Sequence, residues 1–265
     1  MKCLMTLLLL FMSSYAEVYY AKVEPIELKK ISSNVTGEIL DIDENLLGHK
    51  LHKEVFIKID DTLDKAEYAQ VKEKISYIQS IIDVNEKMLL NLEAMLQKKE
   101  QNYKRVEALK IKSQIEKDRE FYDLVASRNQ YLATKKEIAN LKVQLADLSL
   151  REIQLRKILK DKNLTAKNYL LYSLNVSLGQ VVTPGVLLAQ VADISKAVLR
   201  FYVDASELEN IMQKSVYIDG KKTKYKVSRV LQIADTKNIS KYMVQVIIKA
   251  PKVFSKLVKI ELKEK

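Results

Sequence analysis

The chain has 265 residues, 48% of them hydrophobic, and a formal net charge of +11, enough for one or two domains with a buried core. Five glycines and three prolines in such a length disfavour many short elements and favour long helices. One cysteine excludes a disulfide framework, and acidic residues interspersed with the basic ones exclude the charge blocks typical of a nucleic-acid binder.

Lys2, the apolar run from Leu4 to Phe11, and Ser14-Tyr15-Ala16 with its small residues at the cleavage positions read as a secretory signal peptide over residues 1–16. The run is shorter than the roughly 20 residues that span a bilayer, so cleavage after Ala16 is expected over an uncleaved anchor. Cys3 leaves with the leader, and a thiol nucleophile is then excluded as well.

Residues 17–61 are strand-like. Val35 to Ile42 alternates apolar and polar residues, Val55 to Ile59 does so again, and Gly48 allows a turn between them.

Residues 62–162 change period. Tyr68, Val71, Ile75, Ile78, Ile82, Asn85, Leu89, Leu92, Leu96, Lys99, Tyr103 and Val106 advance in alternating steps of three and four. Leu124, Ser127, Tyr131, Thr134, Ile138, Leu141, Leu145, Leu148, Glu152, Leu155 and Leu159 repeat the pattern. Sustained heptads on two matched arms, with a break at about 107–114, predict an antiparallel coiled-coil hairpin. Each arm, at roughly 47 residues, makes a rod of roughly 70 Å. A second stripe lies beside the seam: Ile81, Met88 and Met95 on the first arm, and Val125, Leu132, Ala139, Ala146 and Ile153 on the second. It reads either as a widened seam or as a surface for lateral packing of neighbouring hairpins.

Residues 163–194 return to strands, with Tyr169 to Val176, a turn at Gly179, and Val186 to Val191. Aligning Gly48 with Gly179 sets Leu51 on Val182, Val55 on Val186 and Ile57 on Leu188, an internal repeat interrupted by the hairpin. Neither half buries its apolar face alone, so the two are expected to pair into one small β-sandwich. Residues 195–265 hold further strands at Ala197–Val203, Val216–Ile218, Tyr225–Ile233, Tyr242–Lys249 and Val258–Leu262, a hairpin turn at Asp219-Gly220, and one short helix from Ser206 to Lys214.

No catalytic, metal or cofactor constellation emerges. His49 and His52 are the only histidines and do not close a metal site. Lys53 and Lys58 are poor lipoyl carriers because the hairpin separates the halves. Asp161-x-Asn163-x-Thr165 matches a bacterial glycosylation sequon.

The leader, the split half-motifs around a coiled coil, and the β-rich tail together resemble the periplasmic adaptor proteins, also called membrane fusion proteins or the HlyD family. The best-matching motif is Gly179-Gln180-Val181-Val182-Thr183-Pro184-Gly185-Val186-Leu187-Leu188. In the first half Glu54 stands where Gly185 stands in the second. The resemblance implies an elongated α+β chain: a coiled-coil hairpin inserted into a split lipoyl-like β-sandwich with turns at Gly48, Gly179 and Gly185. A β-barrel domain over 195–265 follows, with the membrane-proximal domain reduced or absent.

It also implies a non-enzymatic periplasmic adaptor linking an inner-membrane transporter of RND or ABC type to an outer-membrane channel of TolC type, for export of small molecules or proteins. The adaptor is expected to be a homo-oligomer, a trimer or hexamer, held at the inner membrane through its transporter. The family's hairpin tip carries an arginine, a leucine and a serine that dock with the channel. Arg105 and Leu109 keep the first spacing, while Ser113 follows after only three intervening residues, so the tip reads as shortened. The alternatives are a coiled-coil spacer or chaperone, and a lipoyl or biotinyl carrier subunit.

Overall fold

A computed structural model describes residues 17–234 and 240–264. The leader reading of residues 1–16 lies outside the described residues. In chain order the elements are β1 (Val18–Ser32), β2 (Gly37–Ile42), β3 (Ile57–Ile59), α1 (Thr62–Ala108), α2 (Gln114–Lys162), β4 (Asn163–Leu164), β5 (Leu170–Leu174), β6 (Val181–Val182), β7 (Leu187–Asp204), β8 (Ser215–Ile218), β9 (Lys221–Lys222), β10 (Arg229–Ala234), β11 (Lys241–Lys249) and β12 (Leu257–Lys263). They divide into two compact units: residues 35–40 and 58–164 in one, and the segments up to Asn34, Asp41–Ile57 and Thr165 onward in the other.

The helical unit is α1 packed antiparallel on α2. All of the seam positions named from the heptads are buried or half-buried, and Val71, Ile82, Leu92, Leu124, Ile138, Leu141 and Leu155 are fully buried. The steps of three and four keep one stripe of each helix turned toward the other, which is why a local sequence period becomes an interhelical core.

In the sheet unit the repeated halves meet. Gly48 donates its backbone N–H to the carbonyl of Leu171 at 2.8 Å, Leu171 N–H reaches the His49 carbonyl at 3.0 Å, and Leu51 N–H reaches the Tyr169 carbonyl at 2.8 Å. Leu51, Phe56, Ile57, Leu171, Val182 and Leu188 are completely or almost completely buried. Gly48 and Gly179 share the same left-handed φ of 78°, a conformation that glycine adopts without a Cβ penalty. The aligned pairs Leu51/Val182 and Ile57/Leu188 are buried alike, whereas Val55 is 40% exposed.

The long sheet runs β10-β11-β7-β1-β12-β8-β9, with β5 pairing off this path to β7. Its spine is β7, which pairs β1 and β5 near Ala192 and β1 and β11 near Leu199. A single strand thus runs unbroken from the second lipoyl-like half into the tail. Tail residues of β7, β8, β11 and β12 enclose one apolar cluster with Tyr19, Ala21 and Val23 of β1, where the Tyr19 and Phe201 rings lie 5.2 Å apart.

The expected β-barrel is corrected: among the described residues the sheet is open. Closure needs its end strands, β9 and β10, to pair. However, β9 has two residues, and the expected strand from Tyr225 to Ile233 forms only from Arg229. The single helix expected from Ser206 to Lys214 is replaced by two short 3-10 turns, Ala205–Glu207 and Ile211–Gln213, separated by Asn210 at φ 55°.

Candidate functional site

The hairpin carries the features that a function can use, namely its base, its flanks and its tip. At the base, Asp61 ends the strand segment and is 2% exposed. Its carboxylate accepts from Asn163 Nδ2 at 2.7 Å and from Lys65 Nζ at 2.9 Å. Burial opposes ionisation of Asp61, but the Asn163 and Lys65 bonds outweigh it and hold the carboxyl below its usual range. Beside it, Lys162 bridges to Asp64. These pairs tie the first turn of α1 to the last turn of α2. Asn163 also donates to the Leu159 carbonyl at 2.9 Å, so the amide nitrogen of the sequon is engaged in the latch.

Along the seam, the charged positions Lys99 and Glu152 find partners on the opposite arm. Lys99 lies 3.7 Å from Asp123, and Tyr68 donates to Glu152 at 3.3 Å. One flank carries Glu86–Lys142 at 2.8 Å and Glu100–Arg128 at 2.7 Å. The other carries Glu67–Arg151 at 2.6 Å. Seven-residue spacing places Ile81, Met88 and Met95 in line with Glu67. On α2, Val125, Leu132 and Ile153 stand one helical step outside the row of Arg128 and Lys142. The second stripe therefore divides: its α1 half lies on one flank and its α2 half on the other. Ile81 is 48% exposed and Ile153 59%, while Val125 is half-buried. Sequence reading missed Tyr77 and Val84, which widen the α1 half, and Val143 and Leu150, which widen the α2 half; all four are exposed. Their spacing of three or four from the named residues was the available signal. Beside the α1 half, Lys74, Tyr77, Ile78, Gln144, Asp147 and Leu148 line a shallow groove of about 430 Å³.

At the tip, α1 ends at Ala108 and α2 begins at Gln114. Arg105 is exposed and Leu109 is 43% exposed. Ser113 is the N-cap of α2: its Oγ accepts the Glu116 N–H at 3.4 Å, and the Glu116 carboxylate accepts the Ser113 N–H at 3.0 Å. Lys112 and both Ser113 donors hold the Glu116 carboxyl down to about 2. The same hydroxyl donates to Glu116 Oε2 at 3.1 Å, so it is occupied on both counts. Lys117 Nζ meanwhile caps the Glu107 carbonyl at 2.9 Å. What the tip presents instead is Ile111 and Ile115, 90% and 82% exposed. A bare isoleucine in a five-residue turn was visible in the sequence but was not singled out.

The lipoyl-like turns are glycine-built at Gly48, Gly179 and Gly185, all with positive φ. Glu54, in the position matching Gly185, works differently: its carboxylate accepts the His52 N–H at 2.7 Å, and its own and neighbouring backbone donors lower its pKa. His49 and His52 are exposed, and no cluster of three metal-ligating side chains occurs among the described residues.

No family model matches this chain, and no curated protein matches it in sequence. Solved structures do match in fold. MacA from Actinobacillus actinomycetemcomitans superposes with a TM-score of 0.69 at 17% identity, over 93% of this chain and 78% of its own. The membrane fusion protein Spr0693 from Streptococcus pneumoniae R6 gives 0.59 at 12% identity, over 94% of this chain and 100% of its own. A MacA-MexA chimera containing the Pseudomonas aeruginosa MexA alpha-hairpin domain gives 0.53 at 17%, over 94% and 81%. At these identities the likeness is one of fold: two long helices and sheets in the membrane fusion protein arrangement.

Proposed function

We propose that this chain is a periplasmic adaptor that links an inner-membrane transporter to an outer-membrane channel in an export system. The observation that carries the reading is the coiled-coil hairpin interposed in sequence between two paired lipoyl-like halves, in a fold like that of a solved membrane fusion protein. The chain acts by geometry rather than catalysis. A hairpin arm of 47 residues supplies a rod of roughly 70 Å, and the transporter, of RND or ABC type, uses the energy source. The tip meets a channel of TolC type through Arg105, Leu109 and the exposed Ile111, while Ser113 serves the helix start.

The adaptor works as a homo-oligomer, a trimer or hexamer. Apolar stripes on opposite flanks of one hairpin favour this, because the α1 stripe of one copy then meets the α2 stripe of the next. Such a contact is heterologous and generates a ring when its rotation closes, whereas a two-fold dimer pairs a patch with itself. Ile153→Lys is expected to shift the sedimentation profile toward monomer with the hairpin still helical. A monomeric profile for wild type and variant alike at high concentration overturns the packing. For the export reading, a strain lacking the gene is expected to become sensitive to exported toxic compounds or to lose secretion of a protein substrate. Unchanged sensitivity and secretion across a broad panel sinks it.

A further inference from the structure

One face of the sheet unit is left unused by the adaptor reading. Strand pleating sends alternate residues of β1, β12 and β8 to opposite faces. Tyr19, Ala21, Val258, Ile260, Leu262 and Val216 enter the core. On the other face the register sets Tyr20 beside Lys259, Lys22 beside Leu257, and Glu261 beside Tyr217, which in turn pairs with Lys222 of β9. Tyr20 is 64% exposed and Leu257 62%. This row of tyrosine, leucine and lysine ends at an edge hairpin whose turn, Asp219-Gly220, has both residues at positive φ.

The C-terminal stretch of the sequence that supplies β8, β9 and β12 is also its most basic part. From Lys214 to Lys265 the sequence holds fourteen Lys and Arg against four Asp and Glu, so nearly the whole excess of +11 lies there. The face's acid, Glu261, is held at 2.8 Å by both Lys259 and Lys263. Lys221, Lys222, Lys224 and Lys226 are exposed and have no ion-pair partner among the described residues. Lysines on an edge strand also block strand-to-strand aggregation. Blocking accounts for Lys221 and Lys222, but not for Lys224 and Lys226 beyond the strand or for Tyr20 and Leu257 on the adjoining face.

We infer that this face rests on an anionic phospholipid surface. Tyrosine rings sit at the level of headgroups with their apolar bodies inward. Lysine stems extend along apolar surface while their ammonium groups reach phosphate, and clustered lysines bind anionic lipid additively within a Debye length. The described residues contain no helix long and apolar enough to cross a membrane, so the contact is one of surface docking. It supplies a direct hold on the bilayer in addition to the transporter contact, and its test requires no transporter.

The test is co-sedimentation of the chain starting at Glu17 with phosphatidylcholine vesicles, with and without about 30 mol % phosphatidylglycerol, in about 0.1 M salt. Expected is a preference of about tenfold or more for the anionic vesicles, lost near 0.5 M salt. Replacing Lys221, Lys222, Lys224 and Lys226 together by glutamine is expected to remove about tenfold of the binding. Replacing Lys87, Lys98, Lys104 and Lys157 on the hairpin, an equal charge change, leaves it intact. Tyr20→Ser weakens binding without changing its salt dependence. Equal binding to both vesicle types, equal losses in the two lysine variants, or binding to neither vesicle, as a face built for an acidic protein gives, overturns the inference.

Discussion

At the scale of single residues, buried or crowded carboxylates set the sharpest expectations. Asp61 is held by Asn163 and Lys65 at the hairpin base. Asp61→Ala takes one of the two acceptors from the half-buried Asn163 amide, which keeps the Leu159 carbonyl, and is expected to cost about 2 kcal/mol in urea denaturation. Because the folded pKa of Asp61 is lowered, its contribution is complete above the unfolded carboxyl range and is lost as pH falls through the folded value. Glu207 behaves oppositely. Burial first, then Glu17, pushes its pKa up to about 7, against the pull of Lys214 and Lys241. The folded form then binds the extra proton between the unfolded pKa and about 7, so stability declines as pH rises across that window. Glu207→Gln is expected to raise the melting temperature at pH 8 and to leave it nearly unchanged at pH 4. At the tip, Ser113→Ala removes the N-cap and is expected to cost about 1 kcal/mol, read as faster amide exchange in residues 114–117.

At the scale of elements, the hairpin offers a test of register between close neighbours. Leu155 is fully buried in the seam, whereas Ile153 is 59% exposed on the flank. Leu155→Ala is expected to cost about 3 kcal/mol, and Ile153→Ala within about 0.5 kcal/mol in the monomer. The denaturant midpoints of the two variants check this, and equal losses would falsify the seam assignment. The seam was legible because each of its contacts recurs every three or four residues, and a local period needs no knowledge of a distant partner. The strands were less legible. Val55 fits the repeat by sequence but is exposed, and the separate strands read at Val186–Val191 and Ala197–Val203 merge into the single strand β7. Alternation marks a strand's two faces but not the strand it will pair with.

At the scale of the whole molecule, the two paired halves and the hairpin define the export reading, and the lysine-rich sheet face adds a membrane contact. The candidate site was legible only in part. Arg105 and Leu109 stand exposed near the tip, and Ser113 is committed to the helix start. A three-letter pattern records identity and spacing, not whether a hydroxyl is already bonded.

The sequence by itself determined the two long helices, their break, the inward stripe and the glycine turns that mark the repeated halves. These follow from short-range periodicity and from backbone angles that few residues adopt. Only the tertiary structure decided that β1 inserts between β7 and β12 and that the tail sheet stays open. Only there, too, do the second apolar stripe's two halves fall on opposite flanks of the hairpin. These outcomes depend on pairing between residues far apart in the chain, where the gain comes from a partner that local patterns do not name.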